Sequence, residues 1–389
     1  MTTMLSEIWN VVRYRMRALF DRDALDRELD EELRFHLERE AERHEHAGLS
    51  REDALRRAEA EFGRLDSIKE ASRRARGTVA LDSMFQDLRG NPRTVGVACA
   101  IAATGLGLAY MTAAGAPALY LAINVLALLM GLALYGLLRP HAGEAPLLPG
   151  GVTLAFGAVL LATTLFGVSV EGASRWIRIA GVSVQISLVL LPTMLVAFAR
   201  QRDILSTLGV ILGAVALALQ PDRAMAGVLA SALAVLVVRR RDLWVGSALG
   251  IAATGFAVTL LRPDTLPAVP YVDKILYTAF EVHVMAGLAV VCGTVLLAFP
   301  AIPGRKLGSG NGDACAVFGT LWLGIVVAAA AGNYPTPLVG YGGSAVVGYV
   351  LSLAFLPGPV RSTAAVQSRA RDEQPAEKGT VFDLRIGIV

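Results

Sequence analysis

Long apolar runs occupy most of the chain after residue 94, whereas charged residues concentrate before and between these runs. A mostly apolar run of about eighteen residues is long enough to cross a bilayer as a helix. The pattern predicts about ten transmembrane helices, of which the fourth, fifth and sixth are short. Their approximate bounds are residues 95–112, 117–138, 150–168, 184–199, 205–219, 223–238, 243–261, 281–300, 314–332 and 339–356. The sequence therefore predicts an all-α, polytopic membrane protein.

Lysines and arginines in the short loops indicate the orientation of these spans. If the charged N-terminal region is cytoplasmic, the loops on the cytoplasmic side carry clusters of arginines, including the run at 239–241, and the outer loops carry more scattered ones. The bias predicts that both termini are cytoplasmic, which requires an even number of spans. Arg175 and Arg178 then lie in an outer loop, against the usual bias. Their position favours a role with phosphate or anionic headgroups over a role in topology.

Residues 1–93 predict a small cytoplasmic helical domain ahead of the spans. Gly48 is expected to end one of its helices, and Ser50 with Asp53 resembles a capping box that begins the next. The pattern "RELDEELRFHLEREAE" followed by "GLSREDALRRAEAEFG" resembles the prefix domain found ahead of MacB/FtsX-type duplicated permeases. That resemblance implies a bacterial inner-membrane protein with a cytoplasmic domain for protein contacts.

The membrane domain and a tail follow the N-terminal domain. Residues 94–358 are predicted to form the membrane domain, and the polar residues 359–389 predict a disordered cytoplasmic tail.

Cysteines and metal-ligand residues give no sign of a cross-linked or metal-binding protein. The three cysteines lie in or at the ends of spans, so no disulfide framework is expected. No cluster of metal-ligand residues stands out, and we expect no metal, cofactor or nucleic-acid partner. Membrane lipids are the expected surroundings.

Three stretches resemble motifs of the SEDS family of peptidoglycan polymerases (FtsW/RodA/SpoVE type). "GVSVEGASRWIRIAGVSVQIS" is similar to the outer loop that follows the family's third span. "LALQPDRAMAG" resembles its L-x-x-Q-P-D-L-G-T motif, and "PTPLVGYGGSAVVGYVLSLAFL" resembles P-L-P-F-I-S-Y-G-G-S-S before the last span. The three occur in the family's order, and the resemblance covers residues 150–356.

The resemblance implies a ten-span protein of peptidoglycan synthesis, cell division or cell-shape maintenance. Its expected ligand is lipid II, an undecaprenyl-linked precursor, and its expected partner is a class B penicillin-binding protein. The residues that match the motifs are candidates for substrate binding: Arg175, Trp176, Arg178, Gln185, Gln220, Asp222, Tyr341, Gly342, Gly343 and Ser344. Glycines allow backbones to approach closely in membranes, and a serine can bond across helices.

The family's catalytic carboxylate has no clear counterpart. Polymerising lipid II requires a base for the acceptor hydroxyl and positive charge for the leaving pyrophosphate. In the family, an essential aspartate lies in a long outer loop between the seventh and eighth spans, but here that loop is only residues 262–280. Asp273 is the candidate base, and Asp264 is expected to form a turn. The alternative for Asp273 is a solvated charge on a short interfacial helix.

A second departure concerns an ion pair within the fourth span of the family. Leu188 and Leu191 occupy the matching positions, so both charges are lost together and neither is stranded. Arg223 also stands where the family usually has leucine. These changes argue against ordinary polymerase activity.

Three functional interpretations remain open. The first, which the departures favour, is a non-catalytic relative that binds a lipid-linked precursor or a cell-wall synthase. The second is a divergent peptidoglycan glycosyltransferase, with Asp273 as base and Arg175 and Arg178 on the pyrophosphate. The third is a transporter of a lipid-linked substrate, which would normally carry polar residues within its spans.

Overall fold

The computed structural model describes residues 37–62, 91–138, 150–262, 266–302 and 310–358, together with Phe35 and except residues 171, 172 and 180. Asp264 and the predicted tail lie outside the described residues. The chain divides into two compact units, Met1–Gln86 and Asp87–Val389.

The first unit contains two described helices, α1 over residues 37–46 and α2 over Arg51–Phe62. Gly48 ends α1 with φ +98°, a backbone conformation that glycine adopts without strain. The Leu49 amide reaches back to the carbonyl of His44, as in a Schellman motif. The Asp53 amide donates to Ser50 Oγ at 3.2 Å, and Ser50 Oγ donates to the Asp53 carboxylate at 2.7 Å. The predicted helix end and the predicted cap are therefore confirmed.

The second unit is a succession of helices interrupted by one small sheet. Its elements are α3 (Pro92–Ala113), α4 (Ala118–Leu138), α5 (Gly150–Phe166), β1 (Val168–Val170), β2 (Ala173–Ile179), β3 (Val182–Gln185), α6 (Ile186–Arg200), α7 (Ile204–Leu219), α8 (Arg223–Arg240), α9 (Leu243–Leu260), α10 (Ile275–Val282), α11 (Val284–Leu296), a 3-10 turn (Phe299–Ala301), α12 (Asn311–Ala331) and α13 (Gly343–Ala354).

In the part of the chain that the structure describes, five helical segments are long and apolar enough to cross a membrane. They are Pro92–Ala113, Ala118–Leu138, Leu243–Leu260, Val284–Ala301 and Asn311–Ala331. Four shorter apolar helices, α5, α6, α7 and α13, accompany them. These helices confirm the prediction of a multi-pass membrane protein. A described helix overlaps each predicted apolar run, but the count of ten spans stays a prediction.

The all-α prediction is wrong for the stretch between α5 and α6. β1, β2 and β3 form an antiparallel sheet in that order, with Trp176 opposite Gln185 and Ile179 opposite Val182. The strands carry β-branched residues at alternate positions, a pattern typical of strands. Gly181, at φ +84°, supplies the left-handed conformation between β2 and β3. The fold is mostly helical with one small sheet.

The order of the elements places several junctions at one end of the helices, which we call the sheet-side end. The sheet, the α7–α8 junction and the loops at 266–274 and 332–342 all lie there. Hydrogen bonds join them: Gln185 to Asp222, and the Thr336 amide to the carbonyl of Val272 at 3.0 Å. The helices α6, α8 and α13 begin at this end.

Candidate functional site

Four polar side chains meet at the sheet-side end, and we call them the polar cluster: Gln185, Ser187, Asp222 and Ser344. Gln185 Nε2 donates to the Asp222 carboxylate at 3.0 Å and to Ser187 Oγ at 3.1 Å. Ser187 Oγ donates to the same carboxylate oxygen at 3.1 Å. The Gln185 amide donates to Ser344 Oγ at 3.0 Å. The cluster unites residues from all three motifs.

Helix starts explain why these residues converge. Gln185 and Asp222 are the N-cap residues of α6 and α8, and Ser344 lies in the first turn of α13. The Met225 amide donates to Asp222 Oδ1 at 3.3 Å, as expected of a cap. Asp222 is fully buried, and within the described residues no cation lies within ion-pair distance of it. The partial positive charge of the helix N-termini and three hydrogen-bond donors stabilise its negative charge instead.

The two arginines of the first motif lie on opposite faces of β2. Successive residues of a strand point to opposite faces, so Arg175 and Arg178, three positions apart, do not share a face. Arg175 is 5% exposed and donates to the carbonyl of Pro221, beside Asp222. Arg178 is exposed. The structure therefore does not bring the two guanidinium groups together.

The Arg175 side chain also lies near the Trp176 ring. Its guanidinium carbon lies 6.0 Å from the centre of the Trp176 ring. Its Nε is buried and makes no hydrogen bond to the described residues. Arg175 thus holds the Pro221–Asp222 turn in place rather than facing an open surface.

Gln220 is buried but lies outside the polar cluster. Its amide nitrogen donates to the carbonyl of Leu160 at 2.7 Å and also contacts Thr163 Oγ1. These bonds fix the end of α7 against α5. Gln220 therefore joins two helices and does not contact Asp222 through its side chain.

Asn124 on α4 holds the third motif and was not predicted from the sequence. Its Nδ2 donates to the carbonyl of Gly340 at 2.8 Å, and its Oδ1 accepts from the Gly342 amide at 3.2 Å. The side chain is fully buried and its two bonds bracket Tyr341. A lone asparagine in an otherwise apolar span is the signal that could have identified it. Gly343 packs against the same helix, because a Cβ there would lie 3.1 Å from Ala127 Cβ.

Asp273 is buried beside the third motif. It precedes α10 rather than lying on it, pairs with Pro335 in an isolated β-bridge and is 8% exposed. The Val269 amide donates to its Oδ2 at 2.8 Å. Burial raises the pKa of this carboxyl above its ordinary value of 3.8, although the Val269 amide and the charge of Lys274 oppose the rise. Such a carboxylate can both hold a turn and accept a proton.

Backbone strain accompanies this loop pair. Tyr271, Lys274 and Leu338 have φ of +64°, +56° and +64°, in the left-handed region that residues other than glycine rarely adopt. All three lie in the loops on either side of the Asp273–Pro335 bridge. Strain of this kind persists where the surroundings enforce it and concentrates at functional sites.

The two leucines that replace the family's ion pair lie in the helical core. Leu188 and Leu191 are 4% and 0% exposed. A Cβ added at Gly348 would overlap the carbonyl of Leu188, so α13 and α6 lie in direct backbone contact there. At this level the contact between α6 and α13 is direct and is lined by buried leucines.

Positive charge is available at the sheet-side end, but metal ligands are not grouped. At this end of the helices, five cations form no ion pair with the described residues: Arg175, Arg178, Arg223, Arg262 and Lys274. Arg223 donates to the carbonyl of Arg262 at 2.7 Å, beyond the end of α9. No group of three or more histidine, cysteine or acidic residues that could hold a metal occurs in the described part of the chain. Arg178, Arg262 and Lys274 are exposed, and their charged groups can bind an anion at this end.

The helices and this site define a mostly helical, multi-pass membrane protein with a buried polar cluster at one end. No family profile matches the chain, and no curated protein matches it. Among solved structures it is similar to the rod shape determining protein RodA of Thermus thermophilus, at 19% identity and a TM-score of 0.48. That match covers 67% of this chain and 94% of RodA. A mutant of the same RodA matches with the same identity and TM-score, over 95% of its length. At this identity the likeness concerns the fold alone.

Proposed function

We propose that the protein is a SEDS-like inner-membrane protein of peptidoglycan synthesis that binds lipid II at the sheet-side end without polymerising it. One observation carries the proposal. Gln185, Asp222 and Ser344 belong to three separate motifs that resemble the family, and hydrogen bonds through the side chain and the backbone amide of Gln185 join all three. Three motifs that share a site favour a common ligand over three independent packing roles.

The absence of polymerisation is supported by two features. Leu188 and Leu191 fill the core where the family places charges, so the functional ion pair is replaced by packing. The Oδ2 of Asp273 is occupied by the Val269 amide, as expected of a carboxylate that holds a turn. The close α6–α13 contact at Gly348 also argues against a transporter, which needs a path between its helices.

The exposed guanidinium of Arg178 is the group we assign to the pyrophosphate of the ligand. Arg175 does not contact the ligand in this proposal. It bonds to the Pro221 carbonyl and so holds the turn that carries Asp222. The exposed arginine can reach a phosphate without losing an existing partner in the described residues, and a charge-assisted bond to phosphate is strong.

The proposal includes the topology that the sequence predicts. Ten spans, with both termini cytoplasmic, place the sheet-side end on the outer face, where lipid II is presented. The prefix-like unit at residues 1–86 would then contact cytoplasmic proteins, and a class B penicillin-binding protein is the expected partner in the membrane.

Lipid II binding to the purified protein in nanodiscs tests this proposal. We expect Arg178→Ala to weaken binding about tenfold, because one charge-assisted contact to phosphate is lost. Arg241→Ala is the matched control, since Arg241 is an exposed arginine at the opposite end. An equal loss of lipid II affinity in both variants would mean that the net charge of the protein, and not Arg178 itself, determines binding. Unchanged affinity in Arg178→Ala would contradict the assignment.

A second function has one observation in its favour. Asp273 is buried with a raised pKa, which is how a carboxylate becomes a stronger base. An active, divergent glycosyltransferase would use this group on the acceptor hydroxyl. Glycan polymer made from lipid II by the wild type, and lost in Asp273→Asn, would favour this alternative.

A further inference from the structure

Three tyrosine rings from three separate segments meet at the sheet-side end. Tyr120 opens α4, Tyr271 lies in the loop before α10, and Tyr341 precedes α13. The rings of Tyr120 and Tyr341 are stacked, with centres 4.0 Å apart and planes at 11°. Tyr271 meets Tyr120 edge-on, with ring centres 6.2 Å apart. Each ring is only half-buried, so the group keeps an aromatic surface open to its surroundings.

The group is held in place by bonds that involve its backbone. The Tyr341 amide donates to the Tyr271 carbonyl at 2.7 Å, and the Tyr271 hydroxyl donates to the carbonyl of Ala114 at 3.3 Å. Asn124, one helical turn after Tyr120, brackets Tyr341 from both sides. Tyr271 adopts its left-handed backbone conformation within this arrangement. The rings are therefore fixed in advance of any ligand.

Two hydroxyls of the tyrosine group are available to a ligand. Among the described residues, the hydroxyls of Tyr120 and Tyr341 have no hydrogen-bond partner, so they can donate to or accept from a ligand. Asp273 follows Tyr271 by two positions, and its only hydrogen bond to the described residues through the side chain is from the Val269 amide to Oδ2. The exposed Lys274 comes next.

This combination fits one class of ligand. A hexopyranose ring has a face of C–H groups, and the electron-rich face of an aromatic ring attracts such polarised C–H groups. Its rim of hydroxyls needs both donors and acceptors, and tyrosine hydroxyls provide both. An acyl chain would leave those hydroxyls without partners. A bare phosphate would face electron-rich rings.

We infer that Tyr120, Tyr271 and Tyr341 form a saccharide-binding surface that takes a hexopyranose of the lipid-linked precursor. The inference rests on the proposed function, because it assigns the sugar part of the same ligand. Tyr120 and Tyr341 supply ring surface and hydroxyls, and Tyr271 fixes their position.

The first test compares two ligands in nanodiscs: undecaprenyl pyrophosphate, and the same lipid carrying a disaccharide of N-acetylhexosamines. The wild type is expected to bind the glycosylated lipid about tenfold more tightly, a difference of about 1.4 kcal/mol, because the sugar contacts the aromatic surface. Tyr120→Leu with Tyr341→Leu should abolish that preference, so that this variant binds the two lipids with equal affinity. Tyr341→Phe keeps the ring and should keep most of the preference.

Tyr277→Leu is the matched control for removing an exposed aromatic ring. Tyr277 lies at the same end, is 57% exposed and bonds to the Ala330 carbonyl, outside the tyrosine group. Its substitution should leave the preference for the glycosylated lipid intact. A loss equal to that of the double variant would assign the effect to interfacial anchoring and overturn the inference.

A second arm separates this inference from the proposed function. A soluble disaccharide of N-acetylhexosamines is titrated against tyrosine fluorescence of the wild type and of the double variant. If both lipids bind equally and the sugar causes no change, the saccharide surface is overturned while precursor binding survives. If neither lipid binds but the sugar changes the wild-type signal alone, the proposed function fails and the saccharide surface stands. If nothing binds, both are overturned.

Discussion

At the scale of single residues, the sheet-side end contains two buried carboxylates whose hydrogen bonds differ. Asp222 is fully buried and satisfied by donors from Gln185, Ser187 and Met225. Asp273 is nearly buried and satisfied chiefly by the Val269 amide. The first carboxylate joins the starts of two helices, α6 and α8, whereas the second closes one turn. Substitutions at the two positions should therefore have different consequences.

Removing the Asp222 carboxylate should destabilise the fold. Asp222→Ala leaves the Gln185 amide and the Ser187 hydroxyl without their acceptor, at a cost of about 1–3 kcal/mol. Thermal unfolding of the detergent-solubilised protein measures the effect. Ser247→Ala, which removes an exposed hydroxyl on α9, is the control. An unfolding midpoint that does not move relative to this control would mean that the cluster contributes nothing to stability.

Asp273 should make stability depend on pH. Its pKa is higher in the folded protein than the ordinary 3.8, so the fold binds this proton more tightly than the unfolded chain does. The stabilising contribution of protonated Asp273 is therefore complete below 3.8 and is lost as pH rises through the raised pKa.

Unfolding midpoints measured across that pH range check this prediction. Asp273→Asn cannot titrate but keeps an oxygen for the Val269 amide, so the part of the pH dependence due to this group should disappear. If the unfolding midpoint of the wild type rose with pH relative to that of Asp273→Asn, folding would lower the pKa of Asp273, which would contradict the prediction.

At the scale of elements, apolar periodicity locates the helices, because length and hydrophobicity decide which segments can cross a bilayer. The sheet was missed because its strands are short and lie between two long apolar runs. The contacts of Asn124 could not be predicted, since they join residues more than two hundred positions apart. The opposite faces of Arg175 and Arg178 follow from the strand and could have been predicted once a strand was recognised.

The α6–α13 contact gives a prediction at this scale. Gly348→Ala should destabilise the protein by about 1–3 kcal/mol, because the new Cβ overlaps the Leu188 carbonyl and separates two packed backbones. Gly250→Ala on α9 is the matched control, since a Cβ there meets nothing within 4 Å. Thermal unfolding of both variants measures the difference. Equal midpoints would contradict the close contact.

At the scale of the whole molecule, the described helices define a multi-pass membrane protein, and motif residues from three regions meet at one end of it. The motifs predicted which residues matter, but not their separate roles. Gln185, Asp222 and Ser344 form one cluster, while Gln220 and Arg175 hold neighbouring backbone in place. Distances between side chains distant in sequence decide these roles, and periodicity carries no information about them.

The proposed orientation predicts which end is accessible from outside the cell. In a Cys292→Ser background, which removes the exposed native thiol, Arg178→Cys should react with a membrane-impermeant maleimide in intact cells. Arg241→Cys, at the opposite end, should react only after the cells are broken. Labelling of Arg241→Cys in intact cells would reverse the proposed topology.

The central claim is that this protein binds lipid II without polymerising it. The most direct measurement incubates the purified protein with lipid II, alone and with a class B penicillin-binding protein, and quantifies bound lipid and glycan chains together. We predict saturable binding and no glycan chains in either condition, with Asp273→Asn behaving as the wild type does. Glycan chains that form with the wild type and disappear with Asp273→Asn would contradict the claim and make the protein a polymerase.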